Sequence, residues 1–383
     1  DYSTGAEAFL LEPERRNLMP YSEDFTNGIW TNTSAAISVN PTADSSPDGT
    51  LNGNEFNEGT SNGRRAIFDD LSVTANQINT LSVFVKKGTS NYLRLVIAEN
   101  GDASDWTAVQ VDLSNNSLST NDGSSNSFTD ISSSISSIDY NGYYRLQLSA
   151  KHTTATSLRL LFCTSNGNAI ATSNSYGRPD YVGTNKTVFV WGCQLEQSSY
   201  PTSYIPTSGT TVTRNRELCY DATPVINSEE GVLYAEISAL SNDGTNRYIS
   251  INNGTTLNSV RIYFDSTNKL STIVNSGGVT TSYMQNSLIN LLDFNKIAIR
   301  YSDSDYSLWI NGSQVSSDSR SGGATPIGLS RLGFNVSAGS PPFFGNTKGL
   351  KYYPKALSDV ELETLTSWSS FREMAEAQSY IVE

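Results

Sequence analysis

Histidine occurs once in the 383 residues, cysteine and methionine three times each, and charged residues make up only 16%. The single imidazole, His152, leaves a Ser-His-Asp relay one place to run, and no nucleophile elbow accompanies it. Cys163, Cys193 and Cys219 are odd in number and fit no zinc spacing, so they read as free thiols suited to assembly in a reducing cytoplasm. No apolar run approaches the ~18 residues that a membrane-spanning helix needs, which argues against membrane insertion. Basic residues number 25 against 38 acidic ones, and the net charge of −13 argues against nucleic acid, whose phosphates require clustered Lys and Arg. The chain opens at Asp1 with neither Met nor a signal-peptide pattern, so the expectation is a fragment or processed product of something longer.

Turns and short alternating strands are what the sequence has in abundance. Asn-Gly recurs at 27, 52, 62, 100, 141, 166, 253 and 311, and Asp-Gly at 48, 122 and 243. Both pairs tolerate the positive φ of tight hairpins. Between them run period-two segments. Leu81, Val83 and Val85 alternate with Ser82, Phe84 and Lys86, and Leu93, Leu95 and Ile97 with Arg94, Val96 and Ala98. Tyr144–Ala150, Leu158–Phe162 and Val188–Val190 follow, then Leu233–Ile237, Val260–Phe264, Ile297–Tyr301 and Leu308–Ile310. Each run has one apolar face, which predicts sheets stacked in pairs around shared cores. Helical periodicity begins only at Ser358, where Ser358 and Glu361 form a capping box ahead of Leu362, Leu365 and Trp368. The fold class expected is all-β: two tandem antiparallel sandwiches, with one short helix near the C-terminus.

The boundary is expected between them. Residues 198–225 hold Tyr200, Tyr204, Ile205 and repeated Pro-Thr-Ser steps, more apolar surface than a floppy linker carries. An extended strap packed on a domain surface is the expectation. The division is then 1–16, an edge segment anchored by Phe9, Leu10 and Leu11; 17–197, the first sandwich; 198–225, the strap; 226–370, the second sandwich; and 371–383, a helical or extended tail.

Four stretches carry a family resemblance: FLLEPERRNLMPYSEDFTNGIW (Phe9–Trp30), Pro47-Asp48-Gly49, Gly142-Tyr143-Tyr144-Arg145, and WGCQLE through YPTSYIPT (Trp191–Thr207). Together they resemble a module common in bacteriophage tail and virion surface proteins, similar to carbohydrate-binding jelly rolls, over residues 7–216. Cys193 departs from the small residue often found at its position. Residues 230–370 resemble a concanavalin A-like lectin/glucanase (laminin-G-like) sandwich through Gly231–Ile237, Trp309-Ile310-Asn311-Gly312 and Gly349–Leu365. The resemblance implies a tail-fibre or capsid-spike protein on the virion surface, assembled in the host cytoplasm. It also implies a homotrimer touching other virion proteins, with segments 198–216 and 371–383 (Phe371, Met374, Tyr380) either crossing between subunits or packing in cis.

Lectin-like sandwiches are shared by hydrolases that carry E-x-D-x-x-E, which is absent here. Glycoside hydrolysis needs two carboxylates about 5–10 Å apart. The pairs Glu23/Asp24, Asp69/Asp70 and Glu229/Glu230 read as solvated turns, and no enzyme is expected. Glycan binding needs aromatic faces beside amides and charges. The candidates are Trp106, Tyr140, Tyr176, Arg178 and Tyr181, although a Trp106 that opens a strand would instead cover the sandwich edge. Trp30, Trp191 and Trp309 are assigned to packing. Carbohydrate-binding jelly rolls often hold one structural Ca²⁺, and by that resemblance Asn17 and Glu196 stand at comparable places; no other cofactor is expected. The function expected is non-enzymatic recognition of host cell-surface polysaccharide. A purely architectural virion protein remains open beside it, as does a secreted adhesin or the binding portion of a polysaccharide-degrading enzyme.

Overall fold

The computed structural model describes residues 8–33, 38–119, 122–123, 127–136, 141–167, 176–220, 222–319, 324–337 and 339–378. Strands dominate it, and the chain divides into two compact units: residues 14–215, and residues 1–13 together with 216–383.

In the first unit the alternating runs become two antiparallel sheets. A seven-stranded sheet centres on Tyr92–Glu99, Trp106–Asp112 and Ser157–Thr164, and a six-stranded sheet on Ile78–Lys87, Tyr144–His152 and Thr187–Glu196. Leu81, Val83 and Val85 from one sheet meet Leu93, Leu95, Ile97, Leu158 and Phe162 from the other in a dry core. Each such side chain contributes about 1.5–3 kcal/mol by leaving water. Phe25 and Trp30 close the core, stacked at 4.8 Å.

The WGCQLE motif contains a bulge. The register of Thr187–Glu196 against Ile78–Lys87 slips between Trp191 and Gln194, and Gly192 there has φ +63°. A Cβ at Gly192 would lie 3.2 Å from Phe84 and 3.3 Å from Tyr204, so both backbone and space call for glycine. The slip puts Cys193 and Leu195 in the core while Trp191 turns to the outer face. There Trp191 and Phe84 are covered by the strap, whose Tyr204 ring sits 4.6 Å from Trp191 and 6.1 Å from Phe84. Thr202, Ile205 and Thr207 are buried with it, so this part of the strap packs against its own unit.

The second unit is again a sandwich. A six-stranded sheet runs in the order Phe9–Leu11, Gly345–Tyr353, Gly231–Ala239, Asn295–Ser302, Asp305–Ile310, Ser313–Asp318. A five-stranded sheet runs Val279–Asn286, Leu270–Ser276, Ser259–Phe264, Arg247–Asn252, Arg331–Gly333. The N-terminal segment forms an edge strand, and of its three expected anchors Leu11, 2% exposed, enters this core while Phe9 and Leu10 stay exposed. Helix α1 (Asp359–Thr366) starts at the capping box and buries Leu362 against Val232 and Trp309. The tail, expected as helical or extended, begins as a second helix, α2 (Phe371–Ala377); Ala375 and Ala377 are buried, and Lys296 Nζ pairs with Glu373 at 2.8 Å. The tail up to residue 378 thus packs in cis; Tyr380 lies outside the described residues. No helix among the described residues is long and apolar enough to cross a membrane.

Candidate functional site

The strands Arg247–Asn252 (RYISIN) and Ser259–Phe264 (SVRIYF) alternate completely. Ile249, Ile251, Val260, Ile262 and Phe264 point into the core, which sends Tyr248, Ser250, Asn252, Ser259, Arg261 and Tyr263 to the opposite face. Register makes a grid of that face. Tyr248 lies opposite Tyr263, Tyr263 opposite Ser271, and Ser271 opposite Gln285. In the next row Gly333, Ser250, Arg261, Ile273 and Tyr283 follow one another across all five strands. In the third, Arg331, Asn252, Ser259 and Asn275 do so.

The aromatic row is organised. The Tyr248 and Tyr263 rings stack at 4.8 Å with 26° between planes. Tyr283 stands 43% exposed, its hydroxyl accepting from Gln285 Nε2 at 2.9 Å. Gln285 also donates to Asp265 Oδ2 at 2.7 Å. Burial works against the Asp265 charge, but the Thr267 and Ser271 hydroxyls and the Thr267 and Lys269 amides outweigh it and hold the carboxyl below its ordinary value. Burial pushes the Tyr263 hydroxyl well up, and Tyr283 adds to it. Burial pulls the Arg261 guanidinium down, with Tyr248 and Tyr263 partly offsetting that.

At the Arg331 end of this face opens a cleft of about 240 Å³. Asn252 and Arg331 line it from the sheet, Leu218 and Tyr220 from the returning chain, and Asn335 and Ser337 from the loop beyond Arg331–Gly333. The returning chain is held in place by backbone bonds, Ala222 N to Leu332 O at 3.1 Å and Phe334 N to Cys219 O at 3.0 Å. Gly333 permits the approach: a Cβ there would lie 3.1 Å from Tyr220 Cα and 3.0 Å from Asn335 Oδ1. Tyr220 remains 50% exposed.

The residues singled out from sequence lie in the other unit. Trp106 does open a strand, and it is 5% exposed on the outer side of the seven-stranded sheet. Arg94 lies over its ring at 5.4 Å, and Gly177 packs so closely that a Cβ would fall 2.6 Å from the indole. Tyr176 and Arg178 come to the same place. Arg159 is held between Tyr176 at 4.4 Å and Phe68 at 4.2 Å, and it grips Asp70 through two bonds of 2.7 Å. Tyr181 faces Arg65 at 4.8 Å and gives its hydroxyl to Glu58 at 2.6 Å. These aromatic faces are taken by the protein's own cations. Tyr140 lies outside the described residues. Asp69 and Asp70 are not in a turn but in the Ile67–Ser72 strand. Burial raises the Asp69 carboxyl to about 6, and the neighbouring Asp70 adds to that. The apolar residues Val260, Ile262 and Phe264 mark one of these strands but not its polar face with Arg261, and the strands of Tyr248 (Arg247–Asn252) and Tyr283 (Val279–Asn286) are not among the alternating runs picked out from sequence.

The donor set proposed for Ca²⁺ does not fit a cation. Asn17 Oδ1 accepts the amides of Met19 and Leu195 at 3.0 and 3.1 Å. Glu196 accepts from Thr202 Oγ1 at 2.6 Å, Thr202 N at 2.8 Å and Gln194 Nε2 at 2.6 Å. These oxygens face N–H and O–H donors, which a cation would repel; they staple the strap to the last strand. Glu99, Asp105 and His152 also converge, with ligand atoms within 4.8 Å of one another. His152 Nδ1 accepts the Ala155 amide at 2.7 Å and the Thr154 amide at 3.2 Å, so Nε2 carries the proton and donates to Asp105 at 3.1 Å. That tautomer offers no lone pair to a metal.

Residues 227–363 match the Laminin_G_3 family, described as the Concanavalin A-like lectin/glucanases superfamily. No curated protein matches the chain. Similar solved structures include the Ruminococcus gnavus IT-sialidase CBM40, at 18% identity over 39% of this chain and 92% of that one, TM-score 0.35. The SAP-like pentraxin from Limulus polyphemus is 14% identical over 40% and 77%, TM-score 0.34. Mouse laminin alpha1 domains LG4-5 are 8% identical over 78% and 90%, TM-score 0.28. At these scores they bear on neither ligand nor site. The residues matched to the concanavalin A-like lectin/glucanase model, 227–363, include Tyr248, Arg261, Tyr263, Tyr283 and Arg331, while Arg216, Leu218 and Tyr220 of the cleft precede them.

Proposed function

We propose that this chain is a non-enzymatic saccharide-binding protein, and that the saccharide docks on the outer face of the five-stranded sheet. One observation carries the reading: the exposed Tyr283, the partly exposed Tyr248 (backed by the buried Tyr263) and the Asn252–Arg331 cleft all lie on the same side of one sheet. Aromatic faces receive the C–H surface of a sugar ring, and amides, hydroxyls and guanidinium groups read its hydroxyls. An open face of this kind gives a weak single site, and repeated copies would raise avidity by orders of magnitude where geometry permits.

The finer role is attachment of a phage particle. In this reading the chain is displayed on the virion as part of a tail fibre or spike, in homotrimers beside other virion proteins, and meets host surface polysaccharide. The motifs between Phe9 and Thr207 support that placement by resemblance alone.

The test is equilibrium binding of the full chain to surface polysaccharide from candidate hosts, comparing wild type with Tyr283→Ala. An exposed ring can be removed without opening the core, so the thermal midpoint should hold while affinity falls about 3–10-fold. A wild-type chain that binds none of these polysaccharides would instead fit the architectural role.

A further inference from the structure

The face proposed above holds a charge that the fold leaves unanswered. Arg261 is only 9% exposed, and its guanidinium donates to two neutral oxygens, Ser259 Oγ at 2.9 Å and the Thr256 carbonyl at 2.6 Å. Among the described residues no carboxylate pairs with it. Of the other buried arginines, Arg247 meets Asp243 at 2.7 Å and Arg94 meets both oxygens of Asp122 at 2.9 and 3.0 Å, while Arg65 donates to the Glu58 and Ser61 carbonyls and lies over the Tyr181 ring at 4.8 Å. The partly buried Arg300 meets Asp305 and Asp359. Asp265, at the end of the strand that bears Arg261, has both oxygens filled by Thr267, Lys269, Ser271 and Gln285.

Removing a cation from water without a counter-charge is costly, and a chain of net charge −13 has no shortage of acids to offset it. Here none does. Arg216 at the cleft adds a second guanidinium group to the same side. The planar fork of Arg matches the oxygens of a carboxylate or sulfate better than a hydroxyl.

We infer that this face selects an acidic saccharide, whose carboxylate or sulfate docks on Arg261 while Tyr248 and Tyr283 support the ring. The inference rests on the saccharide reading above and deepens it. A protein with this net charge repels polyanions in general, so such binding has to be local.

The experiment titrates the full chain with three probes of matched length: an oligogalacturonate, a sulfated dextran and an uncharged dextran. Wild type is compared with Arg261→Gln and Arg261→Lys, each checked for an unchanged thermal midpoint. We expect one acidic probe to bind at least ~10-fold more tightly than dextran. That preference should vanish in Arg261→Gln and weaken in Arg261→Lys, which keeps the charge but loses the fork. Which acidic probe wins tells carboxylate from sulfate. Equal binding of dextran, unmoved by Arg261→Gln, would leave the saccharide reading standing and overturn acidic selection. Binding of no probe would overturn both. Should Arg261→Gln misfold, displacement of a bound acidic probe by free galacturonate but not by galactose gives the same answer on wild type, and equal displacement by both contradicts it.

Discussion

Asp69 shows how a single side chain sets a pH dependence. It shares its strand face with Ile67 and Leu71, toward the core, and burial raises its carboxyl to about 6. A folded-state value above the ordinary one means that the folded chain holds the proton more tightly than the unfolded chain. The favourable contribution is therefore complete below about pH 4 and is lost as pH rises through about 6. Asp69→Asn should stabilise the chain at pH 8, by on the order of 1 kcal/mol, and leave it unchanged at pH 4; denaturant midpoints at the two pH values measure this. Trp106 teaches a different lesson. With its ring covered by Arg94 and Gly177, Trp106→Ala should cost about 3–5 kcal/mol of stability, so any loss of binding would report the fold and not a contact. The core residues were legible because period two marks them. Whether an outward aromatic ends up open or covered was not, because the cover comes from distant segments: Tyr176 to Tyr181 over one sheet, and Tyr204 over Trp191.

Among elements, the strand Phe9–Leu11 shows how far tertiary pairing outruns local pattern. Three residues at the start of the chain complete the edge of a sheet whose other strands begin at Gly231. Its apolar character is readable in FLL; its partner, Gly345–Tyr353, is not, since nothing local encodes a pairing across more than three hundred residues. Leu11→Ala should cost about 2–4 kcal/mol, visible as a lowered midpoint for the unit that contains residues 216–383. Helix α2 adds an ion pair to the burial of Ala375 and Ala377. Burial opposes the Glu373 charge, but Lys296 with the Ser369 hydroxyl and amide outweighs it and holds the carboxyl at about 2. A lowered folded-state value gives stability that is present above pH ~4.3 and lost as pH falls toward 2. Because the pair is partly exposed, Glu373→Gln should cost only about 0.5–1 kcal/mol at pH 7 and nothing near pH 2, measured by denaturation at both. The capping box at Ser358 was readable because its two hydrogen bonds lie three residues apart.

For the molecule as a whole, both units use the same solution, a dry sandwich core with chemistry confined to outer faces, and the two faces differ in what covers them. In residues 14–215 the outer aromatics are occupied by arginines and by the strap. In the unit of residues 216–383 Tyr283 and Tyr220 stay open beside Arg261 and the cleft. The tandem all-β organisation could be read from alternation and turn chemistry; the working face could not, because it needs strand register to bring Tyr248, Arg261 and Tyr283 together from three strands. The most direct test of the central claim is a hydrogen–deuterium exchange footprint of the full chain with and without a bound saccharide. The account predicts slowed exchange within residues 247–286 and 331–342, with no change between 92 and 182. Protection confined to the segment around Trp106 and Tyr176, with none on the five-stranded sheet, would contradict it.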